Sequence, residues 1–167
     1  MTAIRHPFPL YLLLVAVLAA TIGCDRVTKR IATDTLAGAP DQSFLGGTIT
    51  VQYAENRGGF LSLGAELSPR GRTAVFVVAT GLVLVGVGIG MLRSRLAPWP
   101  LLGATLFVAG GASNWFDRVT HGTVIDFLNV GIGPVRTGVF NVADMAILAG
   151  LGLIIAGEAR LTGSRER

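Results

Sequence analysis

The chain has 167 residues, of which 51% are hydrophobic and 14% charged, against roughly 25% charged in an ordinary soluble domain. The formal net charge is +4, and thirteen of the basic residues are arginine, with Lys29 the single lysine; they form no run, which excludes a nucleic-acid surface. One cysteine, Cys24, and two histidines, His6 and His121, permit no intrachain disulfide and leave almost no material for a zinc site or a Ser-His-Asp triad.

In chain order, four stretches reach the ~20 apolar residues that a bilayer core requires. The first covers residues 8–24, with Pro7 and Pro9 at its start, where a helix tolerates proline. Residues 25–72 follow, too long for a simple connector. Within them Thr48 to Tyr53 alternates with period two and predicts a strand, set off by Gly46-Gly47 and by Asn56-Arg57-Gly58-Gly59. The second span covers 73–92 without a charge, and the third 97–116; both are rich in glycine, which lets helices approach closely in lipid. Residues 117–138 carry two short β-branched pieces, Thr123 to Phe127 and Leu128 to Ile132, with turns expected at Gly131 and Gly133-Pro134. The fourth span covers 139–156. The expected fold class is an all-α membrane protein, a four-transmembrane-helix bundle forming one domain over residues 1–167.

Four spans put segments 25–72 and 117–138 on one side of the membrane. The opposite side holds Arg5, Arg93, Arg95, Arg160, Arg165 and Arg167 against Glu158 and Glu166, whereas the segments are balanced between acids and bases. Lysine and arginine in short loops favour the cytoplasm, so both termini are expected there; Arg70 and Arg72 argue the other way. Thr21-Ile22-Gly23-Cys24 looks like a lipobox, the site at which bacterial lipoproteins are lipidated and cut; its other reading is two small residues closing an apolar helix.

Several acids need explaining. Asp25 is expected at the C-terminal end of the first span, where the helix dipole disfavours it, with Lys29 four residues on as its partner. That pair is either a surface ion pair or a fixed polar anchor. Asp126 lies within Val124-Ile125-Asp126-Phe127-Leu128, and burial there raises a carboxyl pKa; its alternative is a solvated strand residue. Asp144 opens the fourth span, either as a functional acid or as the capping-box partner of Asn141. Asn114, Asp117 and Arg118 end the third span, where Asp117 and Arg118 must point apart. Arg118 is free to meet a distant carboxylate or a phosphate headgroup, or to serve as an interfacial anchor. If Asp126 and Asp144 meet, they share a proton and have the means for aspartyl hydrolysis without metal or cofactor.

Five motifs in order carry a family resemblance. They are Asp25-Arg26-Val27-Thr28-Lys29, Asn56-Arg57-Gly58, Gly110 to Arg118, Val124-Ile125-Asp126-Phe127 and Phe140-Asn141-Val142-Ala143-Asp144. Together with the span placement they resemble the lipoprotein signal peptidases (signal peptidase II), bacterial inner-membrane aspartyl proteases. The resemblance implies a substrate prolipoprotein whose lipobox cysteine carries diacylglycerol, cut just before that cysteine. It implies Asp126 and Asp144 as the catalytic pair, Asn56, Gly58, Asn114, Arg118 and Asn141 as substrate-orienting residues, and Asp25, Lys29 and Asp117 as their support. It further implies a small β-cradle on the outer face of the bundle, a site on the extracytoplasmic side, membrane lipids as neighbours, a monomer, and neither metal nor cofactor. The chain departs from the family pattern at Gly59-Phe60, Ser113 and Met145. A small non-enzymatic scaffold or transporter subunit, and a divergent paralogue, are the competing readings.

Overall fold

The computed structural model describes residues 8–59, 62–93 and 96–163. Among them four long helices alternate with a small sheet. Helix α1 spans Phe8–Leu36. Strand β1 (Gln42–Phe44) and β2 (Ile49–Asn56) follow. Helix α2 runs over Pro69–Arg93, α3 over Pro98–His121. Then come β3 (Val124–Ile132), β4 (Val135–Phe140) and α4 (Val142–Gly163).

Helices α1 and α2 are long and apolar enough to cross a membrane by length and composition; α4 offers a shorter apolar run, Val142–Gly157. Only 11% and 0% of the apolar windows of α1 and α2 are buried within the protein. A helix of a soluble core would bury such a face, so these surfaces are suited to lipid. Helix α3 packs most extensively on α4. Their axes close in at Gly103 and Gly150, where a Cβ on Gly103 would stand 2.6 Å from the Gly150 carbonyl oxygen. Any larger residue there would force the helices apart.

Several expected boundaries shift. Helix α1 does not stop near Cys24 but continues to Leu36, so Asp25 lies mid-helix and the dipole argument at that residue falls away. The continuation holds because one stripe, Asp25, Lys29, Ala32 and Leu36, is buried; the ion pair and the apolar residues share a single inward face. Cys24 is exposed within this unbroken helix. Helix α3 likewise outruns its expected end, closing at Gly122 in the left-handed conformation (φ 75°). Val139 and Phe140 belong to β4 rather than to the fourth span.

The small sheet expected beside the helices is present, four-stranded and antiparallel, in the order β1-β2-β3-β4. The expected pieces 123–127 and 128–132 form one strand, and Gly131 is not a turn but sits where the β3–β4 register shifts. The turn falls at Gly133-Pro134 alone. The sheet packs on the extension of α1 through Ala32, Leu36 and Phe127, with Val51, Tyr53 and Ile125 around them.

Candidate functional site

The site is built where the sheet meets the outer ends of α1, α3 and α4. Its foundation is an ion cluster. Lys29 Nζ lies 2.7 Å from Asp25 Oδ2 and 2.7 Å from Asp117 Oδ2, and donates to Asn114 Oδ1 at 2.7 Å. Asp25 is fully buried and Lys29 is 4% exposed, so the pair is not a surface ion pair. Asp25 also accepts from Ser113 Oγ at 2.7 Å and from the Ala143 backbone N–H at 2.9 Å. The latter is an otherwise unpaired donor in the first turn of α4. One carboxylate thereby ties α1 to α3 and to the start of α4.

On this base stand two further carboxyls. Asp126, on β3, accepts from Asn56 Nδ2 at 2.9 Å and from Asn141 Nδ2 at 2.6 Å. Asp144, on α4, accepts from Asn114 Nδ2 at 2.8 Å and from the Asn141 backbone N–H at 3.2 Å. The Asp144 N–H donates back to Asn141 Oδ1 at 2.9 Å, a reciprocal capping arrangement. Asn141, with no exposed surface, is therefore bonded to both acids, and capping and convergence coexist. Asp126 is 2% exposed. Burial pushes its pKa up to about 6, and the charge of Asp144 adds to the rise; the amides of Asn56 and Asn141 pull it back.

Asn56 folds its own turn. Its Oδ1 accepts from the Gly58 N–H at 2.9 Å, and its Nδ2 also donates to the Gly59 carbonyl at 3.0 Å. Gly58 is obligatory here, since a Cβ would stand 2.7 Å from the Ser62 carbonyl oxygen. Arg118 makes no direct bond to a distant carboxylate. It donates to the Gly58 carbonyl, 2.6 Å from its Nη2, and to the Asn114 carbonyl at 3.2 Å. Asp117 and Arg118 do point apart, as the helix demands.

Asp25, Lys29, Asn56, Gly58, Asn114, Asp117, Arg118, Asp126, Asn141 and Asp144 thus enter one connected network. Two members were missed or misjudged. Arg26 Nη1 donates to Asp117 Oδ1 at 2.6 Å, with Arg26 stacked on the Phe116 ring at 4.6 Å. Ser113 figured only as a departure, yet it holds Asp25; its spacing of four from Asp117 on α3 was the available signal. Met145 is half exposed and Phe60 lies outside the described residues.

A small pocket of about 140 Å³, lined by Ala54, Asn56, Ser62, Asp126, Gly138 and Val139 with Glu55, opens on Asp126. A larger polar cleft of about 840 Å³, lined by residues including Arg26, Arg57, Tyr53 and Ile125, holds neither Asp126 nor Asp144. Glu55 lines both. Ala54 opposes Asp126 and shares its face, whereas Glu55 opposes Ile125 on the other.

Fold and site together define a membrane protein of lipid-suited helices carrying two carboxyls, joined through one asparagine, beside a small antiparallel sheet. The family model described as Signal peptidase (SPase) II matches residues 17–159, and the chain belongs to that family, which is one of proteases. It is similar to the lipoprotein signal peptidase of Sphingopyxis alaskensis, 34% identical over 167 residues that cover 99% of this chain and 94% of the relative. That of Syntrophomonas wolfei subsp. wolfei is 31% identical over 142 residues, covering 85% and 89%. A bacterial membrane enzyme solved by the in meso method at 2.3 Å resolution superposes with a TM-score of 0.77 over 91% of this chain and 90% of its own. At 22% identity that likeness shows the fold.

Proposed function

We propose that the chain is an aspartyl endopeptidase that cuts prolipoproteins just before a diacylglyceryl-modified lipobox cysteine, releasing the signal peptide. The observation that carries this is the pair Asp126 and Asp144, each hydrogen-bonded to the buried Asn141. Two coupled acids in such a setting hold one proton between them at mildly acidic to neutral pH. The ionised carboxylate takes a proton from water as its oxygen attacks the scissile carbonyl carbon. The protonated carboxyl gives its proton to the carbonyl oxygen, forming a tetrahedral diol. Collapse re-forms the carbonyl and breaks the C–N bond as one diol hydroxyl returns its proton to the second carboxylate, and the departing nitrogen of the cysteine is protonated by the acid that took the first proton. No metal or cofactor takes part.

In this reading Asn56, Gly58, Asn114, Arg118 and Asn141 orient the acids and the peptide, while Asp25, Lys29 and Asp117 hold the helix ends beneath them. The substrate's diacylglycerol lies in the bilayer and its scissile bond at the surface. α1 to α4 all cross the bacterial inner membrane, with the sheet and both carboxyls on the extracytoplasmic side, and the enzyme works as a monomer among membrane lipids. The test is cleavage of a diacylglyceryl-modified substrate by Asp126→Asn and Asp144→Asn. Each is expected to abolish cleavage while leaving insertion and helix content intact. Cleavage by both variants would sink the assignment and favour a non-enzymatic role.

A further inference from the structure

Helix α2 is not a regular α-helix. Over Thr73–Ala79 it widens into π-helical turns, a local form that recurs at functional sites. The Thr80 backbone N–H closes the widened segment on the Val75 and Val77 carbonyls. The Val77 carbonyl also accepts from Trp115 Nε1 of α3 at 2.8 Å, and the Val75 carbonyl from Thr80 Oγ1 at 3.2 Å. The indole fits because Gly81 has no side chain; a Cβ there would stand 3.1 Å from Trp115 Nε1.

The widened segment presents Phe76 inward, while Val75 and Val78 on either side are 46% and 55% exposed. The Phe76 ring lies against two glycines of the Asn56 turn and its continuation: a Cβ on Gly59 or on Gly64 would approach ring carbons to 3.0 Å. Arg118 sits over the same ring, its guanidinium carbon 5.6 Å from the centroid. Arg118 in turn holds the Gly58 carbonyl, and the Gly58 N–H holds Asn56 Oδ1, whose amide is on Asp126. A ring with no polar atom thus supports both routes by which Asn56 is aimed.

We propose that Phe76 is a positioning residue: its ring seats Arg118 and the turn glycines so that Asn56 keeps its amide on Asp126, and Trp115 fixes the widened turn that presents the ring. The proposal rests on Asp126 being one of the catalytic acids. Leucine at this position would keep apolar bulk but lose the flat face that a guanidinium favours.

The experiment compares the full-length protein with Phe76→Leu and Trp115→Phe, assayed on a diacylglyceryl-modified peptide across pH, with Asp126→Asn alongside. Phe76→Leu is expected to lower kcat about tenfold with KM within about twofold, the size set by loosening one charge-assisted hydrogen bond. The acid limb of the kcat profile is expected to move up by about one pH unit, because the Asn56 bond favours the ionised form. Trp115→Phe, which loses only the N–H donor, is expected to shift that limb in the same direction by less. It decides the matter if Phe76→Leu does not fold. A loss expressed in KM alone, or a fall in kcat with an unmoved acid limb, overturns the proposal. If Asp126→Asn is inactive while both other variants match the parent, this inference fails and the catalytic reading stands. If Asp126→Asn cleaves, the catalytic reading itself has failed.

Discussion

Replacing Asp126 with asparagine perturbs stability in a way that can be worked out separately from activity. The carboxyl titrates at about 6 in the folded chain against 3.8 ordinarily. It therefore binds its proton more tightly when folded. Its contribution to stability is fully present below about pH 4 and is lost as pH rises through 6, because the unfolded chain ionises first. A gap of about two units corresponds to about 3 kcal/mol of folding free energy lost between those limits. Asp126→Asn has no such titration. It carries a constant cost instead: the two amides that now donate to the carboxylate would meet one carbonyl oxygen and one further N–H donor, worth about 1–3 kcal/mol. The variant is thus less stable than the parent at pH 4 and level with it or better at pH 8. Thermal unfolding in detergent micelles reads this directly. At about 2–4 °C per kcal/mol for a chain of this size, the parent's midpoint should fall by about 6–12 °C relative to the variant between pH 4 and pH 8. Because Asp144 is coupled to Asp126, the inflection belongs to the pair rather than to one side chain. Parallel midpoint curves for parent and variant would refute the burial argument.

Lys29→Met leaves Asp25 and Asp117 buried without their shared cation. Removing one member of such a cluster costs about 3–5 kcal/mol, so the unfolding midpoint should drop by about 6–20 °C, and an unchanged midpoint would contradict the anchor. Gly58→Ala drives a Cβ into the Ser62 backbone; cleavage is expected to fall at least about tenfold while circular dichroism keeps the helix signal, since the displaced turn carries Asn56.

What the sequence revealed, and what it hid, divides along physical lines. The long helices were legible because an uncharged apolar run is a signal that survives without any knowledge of packing. Their ends were not, because beyond the apolar run the helix persists only if a buried stripe sustains it. In α1 that stripe begins with an ion pair, Asp25 and Lys29, that composition alone marks as surface. The asparagines were legible as a pattern of motifs, but their task was not. Asn141 could be read as a helix cap from its neighbours, yet its bonds to Asp126 and Asn114 cross fifteen and twenty-seven positions of chain. Arg118 shows the same limit from the other side. Its charge suggested an anionic partner, and the fold instead gave it a backbone carbonyl and an aromatic face. Phe76 gave no signal at all, being one apolar residue in an apolar span. Its environment depends on an irregular turn, which in turn depends on an indole from another helix. Local chemistry can therefore nominate the acids of a site like this one. The groups that aim those acids are specified by contacts between distant segments, and some carry no charge to betray them.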